Sequence, residues 1–258
     1  MDTVKYEQKQ FTAHITLNRP ESLNAFNYDM LCELGTIIES IRIHPDIRLV
    51  VISSAGEKAF SVGADLKERI SLPESLVRRN LNKFGEVFNA IEQLPQPTIC
   101  VLQGYAFGGG LELALSCDFR IASDNVVVGL TETGLGIIPG AGGTQRLPRL
   151  IGEAKALEYI LTAKRISAAE ANQCGLLTKV APTDELQETV EAFSNELLKN
   201  APIAVQQAKF AIKQGMKVDI STGLQIERKA YEMTIPTKDR IEALHAFSEK
   251  RKPNFKGN

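Results

Sequence analysis

Histidine is scarce in this chain: 258 residues carry three, His14, His44 and His245, too far apart to give a metal-ligand spacing. A zinc enzyme is therefore not expected, and no other metal or cofactor is called for. The four cysteines, Cys32, Cys100, Cys117 and Cys174, form no CxxC pair. They read as small core residues of a reducing compartment. No apolar run approaches the roughly eighteen residues of a membrane-spanning helix, and no membrane partner is expected. The net charge is −1 and like charges do not gather in blocks, so composition implies neither nucleic acid nor an anionic membrane surface. The opening MDTVKYEQKQ carries acids and lacks an apolar segment, unlike a secretory signal or a transit peptide, which makes the cytoplasm the expected location.

What is present is an ordinary globular composition, 43% apolar and 24% charged, long enough for a sizeable core. FTAHITL (Phe11 to Leu17) alternates like a half-buried strand, and Tyr28 to Ile43 places Met30, Leu31, Leu34, Ile37, Ile38 and Ile41 at helical spacing. IRLVVISS and PTICVLQG read as buried strands, separated by a helix from about Glu74 to Gln93 that Pro95 and Pro97 end. The second strand runs into three glycines and a helix. DFRIAS and NVVVGL are short strands, and TETGLGIIPGAGGTQRLP reads as a glycine-rich loop. From Glu153 onward the pattern is almost wholly helical. An α/β core followed by helices is the expected class, with the helical tail packing on its own core or on another subunit.

Three stretches could carry chemistry. In GYAFGGGLELAL (Gly104 to Leu115), glycines precede a helix whose first N–H groups are unpaired, and Glu112 sits among leucines. Neither GxGxxG nor GK[ST] is present there, so a developing oxyanion suits the site better than a phosphate. The competing reading is a tightly packed turn with Glu112 as a first-turn acid. In AFSVGADLK, Gly63 and Ala64 could turn an N–H toward the same end of the sheet; alternatively Asp65 simply caps the next helix. In TETGLGIIPGAGG, Glu132 could return beside Glu112, so that two carboxyl groups share one cavity and differ in pKa. The alternative is a structural ion pair of Glu132 with Arg146 or Arg149.

Taken together, FSVGADL, GYAFGGGLELALSCD and ETGLGIIPGAGGTQRLPRLIG resemble the enoyl-CoA hydratase/isomerase (crotonase) family in order and spacing, over nearly the whole chain. The C-terminal stretch from IKQGMKVDISTG to NFKG is similar to the methylglutaconyl-CoA hydratase branch. The resemblance implies an α/β, crotonase-like spiral of ββα units over residues 1–195 and a helical trimerisation region over 196–258, assembled as a homotrimer or a hexamer. It further implies an acyl-CoA substrate, Ala64 and Gly109 as the oxyanion-hole donors, and Glu112 and Glu132 as the catalytic pair. Val62, Asp65, Leu66 and Lys67 match the stretch that runs along CoA. The implied activity is hydration of the 2,3 double bond of an enoyl-CoA, in fatty-acid or branched-chain (methylglutaconyl-CoA, leucine) degradation.

Family isomerases commonly keep one of the two acids, whereas this chain keeps both. Val62 stands where many members have alanine. RNA-binding members of the related branch carry a lysine-rich early helix, but NYDMLCELGTIIESIRIH contains no lysine, which argues against a nucleic-acid partner. Hydratase, isomerase and a non-enzymatic RNA-binding module are the readings in descending order. Acyl-chain preference is expected to reside in Glu68 to Phe88.

Overall fold

The computed structural model describes residues 2–258, which divide into two compact units. Residues through Leu94 form the first together with Thr98–Val190; Pro95–Pro97 and Glu191–Asn258 form the second.

In the first unit, β1 (Val4–Lys9) pairs antiparallel with β2 (Thr12–Leu17), and α1 (Tyr28–Arg42) then buries Met30, Leu31, Leu34, Ile38 and Ile41. Asn27 caps that helix, its side chain accepting the Met30 N–H at 3.0 Å, which satisfies one of the unpaired donors of the first turn. From there the chain repeats a pattern of two strands and then helix. The first repeat is β3 (Leu49–Ser54), β4 (Ala59–Ser61), α2 (Leu66–Ile70) and α3 (Glu74–Glu92). The second is β5 (Thr98–Leu102), β6 (Tyr105–Phe107) and α4 (Gly109–Ser116), and the third β7 (Phe119–Ser123), β8 (Val127–Gly129), α5 (Gly143–Ile151) and α6 (Glu153–Leu161). Two further strands, β9 (Ile166–Ser167) and β10 (Lys179–Ala181), flank α7 (Ala168–Gln173), and α8 (Leu186–Leu198) follows.

The strands sort into two sheets. One has the order β1-β2-β3-β5-β7-β10 and the other β4-β6-β8-β9, so each repeat gives one strand to each sheet. β4, β6 and β8 are mutually parallel, which puts their carboxyl ends, and the loops leaving them, on one edge. Beneath lie Phe26, Phe60 and Phe88, all but inaccessible to solvent. Burying one such ring contributes roughly 1.5–3 kcal/mol.

Three expectations need correction. PTICVLQG does not run directly into the glycines; Gln103 and Gly104 separate β5 from β6, which belongs to the other sheet. The stretch read as a loop up to Pro148 contains α5, which starts after Gly142 and includes Pro148. The chain after Glu153 returns to both sheets through β9 and β10, too short to show a period of two.

The second unit is helical: the end of α8, then α9 (Pro202–Gly215), α10 (Ile220–Glu232) and α11 (Lys238–Ser248). Buried Asp239 accepts the N–H groups of Lys256 and Gly257 at 2.7 and 2.8 Å, tying the tail down. Met216, Ile220, Tyr231 and Phe247 are exposed.

Candidate active site

The loops leaving β4, β6 and β8 converge. Gly63, with φ of +89°, lies so close to the next loop that a Cβ there would stand 2.9 Å from the Gly109 nitrogen, which forbids any side chain. Phe26 donates its N–H to the Gly63 carbonyl at 2.8 Å and accepts the Asp65 N–H at 2.9 Å. Between these two bonds the Ala64 N–H meets no protein acceptor among the described residues. Gly109 opens α4, and its N–H is likewise without a protein acceptor, as expected of a first-turn donor. Gly108 makes the turn possible: its φ of +51° with ψ of −125° suits glycine alone, and a Cβ would stand 3.0 Å from Glu132 Oε1. Two N–H groups from adjacent loops therefore face the same space.

Glu112 lies in the first turn of α4 and is 3% exposed. Its Oε1 accepts the N–H groups of Ala141 and Gly143, each at 2.8 Å. Burial raises its pKa, while those two bonds and the nearby Arg146 charge oppose the rise by favouring the ionised form. Glu132 opens a 3-10 turn that runs to Leu135 and is 8% exposed. Its Oε2 is buried without a hydrogen-bond partner. Burial first, and the Glu112 charge second, push its pKa up to about 7. Glu132 thus takes up its proton around neutral pH, about half of it being protonated at pH 7, while its neighbour has the fixed donors that stabilise an anion.

A cavity of about 650 Å³ takes in both carboxyls, Ala64 and Gly109, with Phe84, Leu135, Ile137 and Ile138 among its apolar walls. Of the stretch expected to follow CoA, Val62 and Leu66 line this cavity. Asp65 instead caps α2, accepting from Lys67 and Glu68 N–H at 3.1 and 3.3 Å, and pairs with Arg19 at 3.0 Å. Lys67 is exposed and lies outside the cavity lining.

The sequence profile of the enoyl-CoA hydratase/isomerase family matches residues 7–258. This chain belongs to that family. YngF of Bacillus subtilis, whose name carries the same hydratase/isomerase alternative, is 52% identical over 99% of this chain and 97% of its own length. The human mitochondrial methylglutaconyl-CoA hydratase is 42% identical over 97% of this chain and 75% of its own. A crystal structure of an enoyl-CoA hydratase from Bacillus anthracis superposes with a TM-score of 0.97 at 47% identity, covering 99% of this chain and all of that one (100%). The α/β fold with its helical C-terminal region is that of crotonase-family structures.

Within this family fold, two arginines support the Glu112 helix in roles that the sequence did not suggest. Arg146 was an open candidate for pairing with Glu132; it pairs instead with Glu92, Nη2 to Oε2 at 2.7 Å, and reaches Asn89 Oδ1 at 2.7 Å and the Ala141 carbonyl at 2.8 Å. It thereby holds the loop whose N–H groups hold Glu112. Arg120, 5% exposed, donates Nη1 to the Ala114 and Cys117 carbonyls at 3.1 and 2.8 Å and Nε to the Leu176 carbonyl at 2.7 Å. The two Nη1 bonds give a donor to carbonyls at the end of α4, where Ala114 also accepts the Cys117 N–H at 3.3 Å, and the Nε bond reaches Leu176 outside the helix. No sequence signal pointed to either role, because the arginine partners are backbone carbonyls or side chains far along the chain. Below the two free N–H groups, Phe26, Phe84 and Phe88 pack edge to face with centroids 5.6–5.8 Å apart, a stiff floor.

Proposed function

We propose that this family member is a hydratase, adding water across the 2,3 double bond of an enoyl-CoA thioester. The observation that carries the reading is the pair Glu112 and Glu132, buried in one cavity with unlike surroundings. The thioester carbonyl binds at the Ala64 and Gly109 N–H groups, which polarise the conjugated double bond. Ionised Glu112 takes a proton from water as the water oxygen bonds to the β-carbon. The π electrons move to the carbonyl oxygen, where the two N–H groups meet the charge; removing one such donor typically costs about 2.7–4 kcal/mol of barrier. As the carbonyl reforms, protonated Glu132 gives its proton to the α-carbon. Water has then been added in full, and a proton passes back from Glu112 to Glu132 through solvent to reset the pair. An isomerase needs one acid to move a proton between carbons; the second buried carboxyl favours hydration.

The test is incubation with a trans-2-enoyl-CoA. Absorbance of the conjugated thioester falls and mass spectrometry finds a product heavier by one water. A product of unchanged mass with a moved double bond would overturn the hydratase assignment in favour of the isomerase. The exposed apolar residues of the second unit, Met216, Ile220 and Phe247 among them, support assembly as a trimer or a dimer of trimers. Light scattering checks this, and a monomer would refute it.

A further inference from the structure

The cavity around Glu112 and Glu132 has a smaller neighbour of about 50 Å³. Ala64, Arg69, Leu81 and Phe84 line both, so these four residues stand between the two spaces. Ala64 is committed to the free N–H group. Phe84 is locked edge to face against Phe26 and Phe88, and its Cε1 would stand 3.1 Å from a Cβ at Gly109. Arg69 is long and charged, a side chain that lays its stem along an apolar wall and keeps its head in water. Leu81, from α3, is the one purely apolar member that carries no part of the N–H site or its floor. It is 46% exposed, so an apolar ligand in either cavity would cover it.

One contact places Leu81 relative to the carboxyls. A Cβ at Gly140 would stand 2.7 Å from Leu81 Cδ1, and apart from that leucine nothing else lies nearer than 3.9 Å. Glycine at 140 is what gives the leucine room. The next residue, Ala141, donates its N–H to Glu112 Oε1 at 2.8 Å, so Leu81 packs on the loop that fixes Glu112. With a thioester carbonyl held at Ala64 and Gly109, the two carboxyls face the carbons next to it, and the rest of the acyl group begins beside Leu81. The side cavity behind has mixed walls whose polar groups are engaged. Asp65 pairs with Arg19 and caps α2, Glu68 accepts from the Tyr28 N–H and Asn80 Nδ2, and Asn80 Oδ1 accepts from Arg79. Phe26, Leu72 and Val77 remain to meet a ligand. A water takes about 30 Å³ of liquid, so this space has room for the end of a chain and no more.

We propose that Leu81 is the residue that limits acyl-chain length: short apolar acyl groups end against it, and a longer one enters the side cavity only where Leu81 gives way. Leu81 lies within the stretch expected to set acyl-chain preference, and the proposal reduces that stretch to one side chain and its contact with Gly140. The inference rests on the acyl-CoA reading of the cavity, not on hydration.

Binding of the saturated thioesters butyryl-, hexanoyl- and octanoyl-CoA is compared by calorimetry, which needs no turnover. In an open apolar channel each added methylene tightens binding about fourfold; in wild type the gain stops before octanoyl-CoA. Leu81→Ala raises the octanoyl-to-butyryl affinity ratio at least about tenfold, and Leu81→Phe lowers it. Gly140→Ala changes the ratio in wild type by crowding Leu81 and has no effect on it in Leu81→Ala, where the added methyl meets nothing. Affinity that climbs steadily with chain length in wild type overturns the proposal without any variant. The same ratio in wild type and Leu81→Ala overturns it too, and an effect of Gly140→Ala that persists in Leu81→Ala overturns the contact as its cause. If the ratios shift as expected and no trans-2-enoyl-CoA gains water, Leu81 stands and the hydratase reading falls. If water is gained with one chain-length preference in wild type and Leu81→Ala alike, the hydratase reading stands and Leu81 falls.

Discussion

The two walls of the cavity present the same side chain in opposite circumstances. Glu112 stands on a regular helix, with one oxygen fixed by the N–H groups of Ala141 and Gly143 and a guanidinium behind them. Glu132 stands on a single 3-10 turn, with one oxygen bare and the glycine backbone of Gly108 pressed against it. Both are buried, so burial alone does not distinguish them. Donors and charge do: two N–H groups and Arg146 oppose the rise at Glu112, whereas Glu132 has the Glu112 charge added to its burial and is pushed up to about 7. On the proposed hydratase reading, backbone placement, not residue type, is what makes one glutamate the base and the other the acid.

The sharpest way to break this comparison is to remove each ionisation in turn. Glu112→Gln and Glu132→Gln each lower kcat for hydration by at least about a hundredfold, and their pH profiles differ. In wild type, activity falls as pH rises past about 7, where Glu132 loses its proton. The residual activity of Glu132→Gln lacks this alkaline limb, while that of Glu112→Gln retains it. Identical profiles in the two variants would refute the division of roles.

A second test needs no substrate. Because the Glu132 pKa is raised from 4.5 to about 7 in the folded state, the native protein holds a proton that the unfolded chain releases between those values. Stability from this group is complete below pH 4.5 and is lost as pH climbs through 7. Urea denaturation at pH 8.5 is expected to show Glu132→Gln more stable than wild type by roughly 2 kcal/mol, with the gap closing at low pH. A gap that does not change with pH would mean that Glu132 titrates with the same pKa in the folded and the unfolded chain.

The smallest effect is expected one step back from the carboxyls. Arg146→Ala frees the Ala141 loop and removes a charge that favours ionised Glu112, so the acid limb moves to higher pH and kcat drops about tenfold (roughly 1.4 kcal/mol), with KM little altered. Arg146→Lys restores the charge but not the fork of contacts to Glu92, Asn89 and Ala141, and regains part of the loss. An acid limb that stays in place in Arg146→Ala would confine Arg146 to holding the fold.

What could be read from the sequence follows from periodicity and its limits. α1 and α3 were legible within a residue because each runs for several turns with one apolar stripe. β1 was not, since Val4 is its one buried residue and VKYEQK shows no alternation. β4, β6 and β8 position the site with three residues apiece; β8 lies within NVVVGL, which read as a short strand, whereas β4 and β6 were too short to announce themselves beside their glycines. α5 was hidden by the glycine at its start and the proline inside it. The glutamates and the glycine-flanked donors were legible as local motifs. Their meeting in one cavity was one of two readings at each motif, and periodicity could not decide between them, because β4, β6 and β8 draw together segments that sequence separates. Arg146 and Glu92 lie 54 positions apart, and no local pattern connects them.

The double anchoring of Glu112 Oε1 also has a stereochemical meaning. With one oxygen pinned by Ala141 and Gly143, the carboxylate cannot swing about its stem, and its free oxygen points in one direction only. On the proposed hydratase reading, a flat alkene laid in the cavity then receives water on one of its two faces. On that reading, two backbone amides in a glycine-rich loop would decide the handedness of the new carbinol centre, which would make chirality a property of the main chain.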